Sequence, residues 1–238
     1  MTNNPFIFIT IDGEEHASFN PKYKESISNK KYQYLLKKSN IPEFYWGIEF
    51  SDYIGDISIT NLDKAKQYSK KCFNKEFNHI HLYLYGKENS TQKTAVAINV
   101  GKEVMRKGYS VQFLLASTLI NKLLKVQGYA INEDIENYID NLKQSDMLII
   151  DDIFDNQKSI MWNKPESSAL IISAWDMFLR DIVVSSTKVV MTSNVPIDMI
   201  KEKFGESMFH LMDRNFISLG FYDAVKEHRK RKFDNIFE

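Results

Sequence analysis

Apolar residues recur along this chain with two different periods. Residues 79–85, 110–115, 147–151 and 189–191 are short apolar runs of strand length. Between them the spacing becomes helical, as with Ala97, Val100, Gly101, Val104 and Met105 in a predicted helix over 94–107. Leu119, Ile120, Leu123 and Leu124 share one side of a predicted helix over 117–126. Further helices are predicted at 132–142, 166–183 and 203–213, and a strand at 215–221. Gly108 and Gly128 stand where helices should stop. Strands separated by helices predict a mainly parallel, three-layer α/β sheet.

The first third reads differently. Residues 6–11 form a strand, Asp12-Gly13 a hairpin turn, and His16 to Phe19 the return. Residues 20–31 are polar and Lys-rich and read as a linker. A short helix is expected from Lys31 to Lys38, stopped before Ile41-Pro42. The aromatic cluster from Phe44 to Phe50 suits a connecting segment packed on the main domain. Leu62 to Phe77 reads as a Lys-rich helix, and 222–233 as a basic helix or tail. The expected division is a short N-terminal β-hairpin and linker extension (1–38), able to dock a partner, and one main domain (39–238).

Composition narrows the function classes. At 238 residues the chain can bury a full core. Its formal net charge is zero, so nucleic-acid affinity would have to come from local patches. One cysteine, Cys72, excludes an internal disulfide and a Cys-based zinc site. No apolar run approaches a membrane span, and the first residues lack a signal-peptide pattern. A cytoplasmic protein without membrane contact is expected.

Two segments carry chemistry. The strand His81 to Tyr85 runs into Gly86-Lys-Glu-Asn-Ser-Thr-Gln-Lys93-Thr94, which opens a helix. That is the layout of a P-loop, in which backbone N–H groups and a Lys hold phosphates. Gly86, Asn89, Ser90, Thr91, Gln92, Lys93 and Thr94 are the candidate nucleotide contacts, with Lys93 reaching the β/γ phosphates and Thr94 a Mg²⁺ ion. The loop is one residue longer than G-x-x-x-x-G-K-[ST], and Gln92 replaces its second glycine. Asn89 tolerates a left-handed backbone better than most residues. The second segment is Met147 to Ile150 running into Asp151-Asp152. Asp151 would hold Mg²⁺, and Asp152 would take or orient the proton of an attacking water. Asn194, in Thr192-Ser193-Asn194, ends a third strand, and strand ends of a parallel sheet open on the ligand-binding edge. Arg214, and Arg229 and Arg231 in the basic run Lys226 to Lys232, are candidate γ-phosphate partners.

The stretch from about Ser39 to Lys232 resembles the DnaC/DnaI helicase-loader group of the AAA+ ATPases and their transposition relative IstB. The resemblance rests on an ordered series. It runs from Ser39-Asn-Ile-Pro42 and Phe50-Ser-Asp-Tyr53 through Leu82-Tyr-Leu-Tyr-Gly86, Lys93-Thr94, and Lys107-Gly-Tyr-Ser-Val111 into Ala116-Ser117. Leu148-Ile-Ile-Asp-Asp-Ile153, Thr192-Ser-Asn194 and Met212-Asp-Arg214 complete it. It implies a three-layer P-loop NTPase (AAA+) core that binds ATP or ADP with Mg²⁺. Walker A would lie at Lys93 and Thr94, Walker B at Asp151 and Asp152, and sensor 1 at Asn194. Arg214 matches a finger that reaches a neighbouring subunit's nucleotide, so self-association through a shared site follows. Arg231 matches the sensor 2 arginine.

Ser117 to Leu142 lies where loaders contact single-stranded DNA, with Lys122, Lys125 and Tyr129 as candidates; the alternative for the lysines is a solvated helix face. The implied function is a helicase loader acting on a hexameric DnaB-type helicase in DNA replication, with weak ATPase activity, in a pared-down phage or mobile-element version. An IstB-like transposition ATPase and a non-hydrolysing nucleotide-switch adaptor are the alternatives. The altered Walker A loop puts turnover in question. Residues 1–38 carry no Cys, so the zinc-bearing helicase-docking domain of the larger loaders does not carry over.

Overall fold

The computed structural model describes residues 6–11, 14–87, 91–126, 133–154 and 165–223. Strands β1 (Phe6–Ile11) and β2 (Glu14–Phe19) form an antiparallel hairpin with Ile11 opposite Glu14. They make a two-stranded sheet of their own. β1 is the strand expected, while β2 begins at Glu14, two residues before the expected His16; the Asp12-Gly13 turn lies outside the described residues.

Helix α1 (Pro21–Lys38) is longer than the sequence suggested. Residues 21–31 are helical, not a linker. The Asn20 side chain accepts from the Lys22 N–H at 3.1 Å and Pro21 pre-sets the first turn, a start signal hidden by the polar composition that follows. Only the far end packs inward, where Leu36 is buried and Tyr32 and Leu35 lean on the core. Just beyond it, Phe113 N–H donates to Ser39 O at 2.7 Å, and the Asn40 and Gln112 side chains pair at 2.9 Å.

The main sheet has five strands in the order β4-β5-β6-β3-β7, all parallel. These are β3 (His81–Tyr85), β4 (Val111–Leu115), β5 (Met147–Asp151), β6 (Lys188–Ser193) and β7 (Phe216–Gly220). Helices α2 (Ile59–Lys71), α3 (Lys93–Arg106), α4 (Ala116–Val126), α5 (Glu133–Lys143), α6 (Pro165–Val184), α7 (Ile200–Phe204) and α8 (Glu206–Asn215) surround it.

The period of two along each strand feeds two cores. Leu148, Ile150, Val189 and Met191 face the α4, α6 and α8 side. Met147, Ile149, Val190, Leu82 and Leu84 face α1, α2 and α3. Helix α3 lies close on the sheet because of Gly101, where a Cβ would stand 2.7 Å from Ile149 Cδ1. It ends at Gly108, whose φ is +93°. The aromatic segment packs as expected: Tyr45, Trp46, Phe50 and Tyr53 lie against the second core, and Trp46 Nε1 donates to Ile41 O at 2.9 Å. Among the described residues, no helix is long and apolar enough to cross a membrane. The architecture is the expected three-layer α/β fold on a parallel sheet. Strand β6 lies between β3, which runs into Gly86, and β5, which ends in the acids.

Candidate functional site: a lysine and a shared carboxylate at the sheet's carboxyl edge

Three strands end together here. β3 delivers Gly86, β5 delivers Asp151 and β6 delivers Thr192 and Ser193. The loop turns under close backbone contact. Gly86 N–H donates to Ser193 O at 3.2 Å, and a Cβ on Gly86 would stand 2.1 Å from Phe221 O. That is why glycine is needed here.

Lys93 opens α3 and is buried. Its ammonium donates to Thr91 Oγ1 at 2.8 Å and Gly86 O at 3.2 Å. Burial pushes its pKa down to about 8, against the pull of Asp152 and Asp151. A desolvated cation beside a helix N-terminus favours an anion.

Asp151 is the centre of the polar network. Its Oδ1 accepts from Thr94 at 2.8 Å and from Thr192 at 2.6 Å. Burial raises its pKa above the ordinary carboxylate value, while the two hydroxyls and Lys93 oppose that shift. Asp152 follows with φ +59°, and its N–H donates to Thr192 Oγ1 at 2.9 Å. The left-handed turn carries the chain back, so that Ile153 N–H meets Thr192 O at 2.8 Å and Ser193 Oγ donates to Ile153 O at 2.6 Å.

Among the described residues no group of three or more His, Cys, Asp or Glu gathers as a metal cage. One carboxylate and one threonine hydroxyl already in contact suit Mg²⁺ that takes its remaining ligands from phosphates and water. The donor set therefore fits a magnesium nucleotide.

The structure brings Gly86, Thr91, Lys93, Thr94 and Asp151 together. Asp152 is half-buried beside them, and Asn194 is half-buried one residue past β6. Arg214 is exposed at the end of α8; among the described residues no hydrogen bond or ion pair ties it to the cluster. Asn89, Ser90, Tyr129, Arg229 and Arg231 lie outside the described residues. Lys122 of α4 is half-buried, with Nζ 4.1 Å from the centre of the Tyr138 ring of α5, while Lys125 is exposed. Sequence reasoning passed over two residues and part of the role of a third. Thr192 was noticed only as a neighbour of Asn194. Gln92, a loop candidate that departs from the glycine pattern, holds φ +60° at the start of α3. Asp223 carried no motif.

No protein-family model matches the chain, and comparison with curated proteins found no match. Solved structures do match. The chain is similar to DnaI at a TM-score of 0.58 and 14% identity, over 78% of this chain and 94% of that one. It is similar to the DnaC helicase loader at 0.56 and 17%, over 76% and 99%. The replication initiator DnaA bound to AMPPCP and single-stranded DNA matches at 0.56 and 13%, over 80% and 55%. The chain shares the fold of these proteins over most of its length. At such identities the likeness speaks for the fold, and the site must be argued from its own geometry.

Proposed function

We propose that this chain is an ATP-dependent loader of a hexameric, DnaB-type replicative helicase and acts in DNA replication. The observation that carries the nucleotide half is the buried Lys93 beside the Thr94–Asp151–Thr192 network. The partner half is supported by the fold shared with DnaI and DnaC, by analogy.

In this reading Lys93 and the first amides of α3 hold the phosphates, and Thr94 and Asp151 hold Mg²⁺. Bound Mg·ATP supplies the phosphoryl group that passes to water. Asp152 accepts the water's proton, and Asn194 orients that water. Arg214, exposed at the end of α8, reaches the nucleotide of a neighbouring copy, so the site is shared between subunits. Lys125, with Lys122 and Tyr129, contacts single-stranded DNA. Arg231 is assigned the sensor 2 role by the family resemblance alone. The hairpin of residues 6–19 docks on the helicase. The protein works in the cytoplasm.

The deciding experiment is co-migration of the purified protein with a hexameric replicative helicase, with and without ATP. Co-migration that changes with ATP is the expected result. Saturable ATP or ADP binding without helicase capture would favour the IstB-like reading. Absence of both at millimolar nucleotide would leave only an adaptor.

A further inference from the structure

The residue that breaks the phosphate-loop pattern is engaged in a specific contact. Gln92 holds φ +60° and ψ 12°, the left-handed geometry that a glycine would otherwise supply there. Its side chain pairs both ways with the backbone of Ile54. Ile54 N–H donates to Gln92 Oε1 at 3.1 Å, and Gln92 Nε2 donates to Ile54 O at 2.6 Å. A glycine could make neither bond.

Ile54 belongs to a short strap, residues 53–58, that crosses from the aromatic segment to α2. Its other end is held by Asp223, beyond β7. Asp223 Oδ2 accepts from Tyr53 OH at 2.9 Å and Ser58 N–H at 2.8 Å, and Oδ1 accepts from Ile57 N–H at 3.0 Å. Gly55 sits under this carboxylate with φ +136°, where a Cβ would lie 2.3 Å from Asp223 Cγ. Ser58 Oγ accepts from Tyr222 N–H at 2.9 Å, and Asn61 Nδ2 donates to Gly220 O at 2.8 Å. The strap therefore joins the end of β7 to Gln92, where the phosphate loop turns into α3.

We propose that Gln92 is a positioning residue. It supplies the loop's left-handed turn and clamps the loop to the 53–58 strap, so that phosphate binding and strap order are coupled. This rests on the nucleotide-site reading above. The coupling follows because Gln92 N-caps α3, whose first amides and Lys93 face the phosphates in that reading. Anything that moves the strap then pulls on the turn that aims them.

The test compares the full-length protein with Gln92→Gly and Gln92→Asn. Glycine keeps the turn and loses the pairing. Asparagine keeps the amide chemistry and tolerates the turn, but is one methylene too short. The primary readout is hydrogen exchange at the Ile54 amide in the free protein, by NMR. Exchange should speed several-fold in both variants, on the order of the factor of five that one net hydrogen bond carries, with thermal unfolding little changed. The second readout is ADP titration. Affinity in Gln92→Gly should fall several-fold although the change restores the common glycine, and ADP should slow Ile54 exchange only in wild type. Unchanged Ile54 exchange in either variant would overturn the clamp. So would ADP binding to Gln92→Gly as tight as to wild type. If wild type binds no ADP, the nucleotide reading fails, and the exchange comparison alone decides the clamp.

Discussion

The Thr192 hydroxyl donates to Asp151 at 2.6 Å while accepting the Asp152 N–H at 2.9 Å. One buried hydroxyl thus sets both consecutive acids, from a strand hydrogen-bonded beside theirs. Thr192→Val keeps the shape and removes both bonds. The Asp152 amide loses its acceptor and Asp151 loses a donor. Such a change should cost about 1–3 kcal/mol in denaturant unfolding and weaken Mg·ATP binding further than ATP binding without metal. Unfolding indistinguishable from wild type would show that the hydroxyl sets nothing.

Gly86→Ala tests the close approach behind the loop. The new Cβ would meet a backbone oxygen, Phe221 O, at 2.1 Å, and the Thr91 hydroxyl at 3.2 Å. Backbone cannot swing aside, and Phe221 N–H is itself bound to Tyr85 O at 2.7 Å. Overpacking of this kind costs about 1–3 kcal/mol. The denaturation midpoint should fall, and Lys93 should lose its contact with Gly86 O. A midpoint equal to wild type would mean that the β3–β7 ends open freely.

His81 gives a pH dependence remote from the site. It is 1% exposed, its Nδ1 accepts the Val189 N–H at 3.1 Å, and its ring leans on Phe216. Burial, with nearby Lys188 and His79, pushes its pKa from 6.5 down to about 3. The folded state therefore stays neutral while the unfolded state takes a proton below about 6.5. Between those limits the unfolded chain binds more protons, so stability rises with pH and is lost as pH falls. The contribution is up to about 1.4 kcal/mol per pH unit. His81→Gln keeps an acceptor for Val189 and should flatten the stability–pH slope between pH 6 and pH 4 by up to about one proton. An unchanged slope would show that His81 does not titrate this way.

Some of this was legible in the sequence and some was not, for physical reasons. The buried strands of the main sheet stood out because parallel strands covered on both faces read as apolar runs. The first turns of α1 did not, because residues 25–31 are exposed and only its last turns touch the core. Lys93, Thr94 and Asp151 could be picked out because strand–loop–helix chemistry is local in the chain. Gln92 and Ile54 are 38 positions apart, and Asp223 stands 170 from Tyr53. Such pairings exist only once the sheet has assembled. For the same reason the sequence shows Gln92 as a departure from the loop pattern and not as a partner of Ile54.

Residues 1–19 should be separable from the rest, and their removal tests the docking role proposed for the hairpin. β1 and β2 form their own sheet, apart from the five strands that carry the site. A lone two-stranded hairpin is marginal in water, so a surface that covers it would stabilise it. Ile9 is 40% exposed, which leaves apolar surface for a partner to cover. The cut must respect α1. Starting near Lys31 would split that helix, whereas starting at Asn20 keeps its cap on Lys22 N–H and its buried Leu36. The protein lacking residues 1–19 should unfold cooperatively within about 1 kcal/mol of the full chain, as a peripheral segment allows. It should bind ADP as the full chain does and no longer co-migrate with the hexameric helicase. Helicase capture that survives the deletion would move the interface onto the main domain. Loss of folding would show instead that the hairpin packs on its own chain.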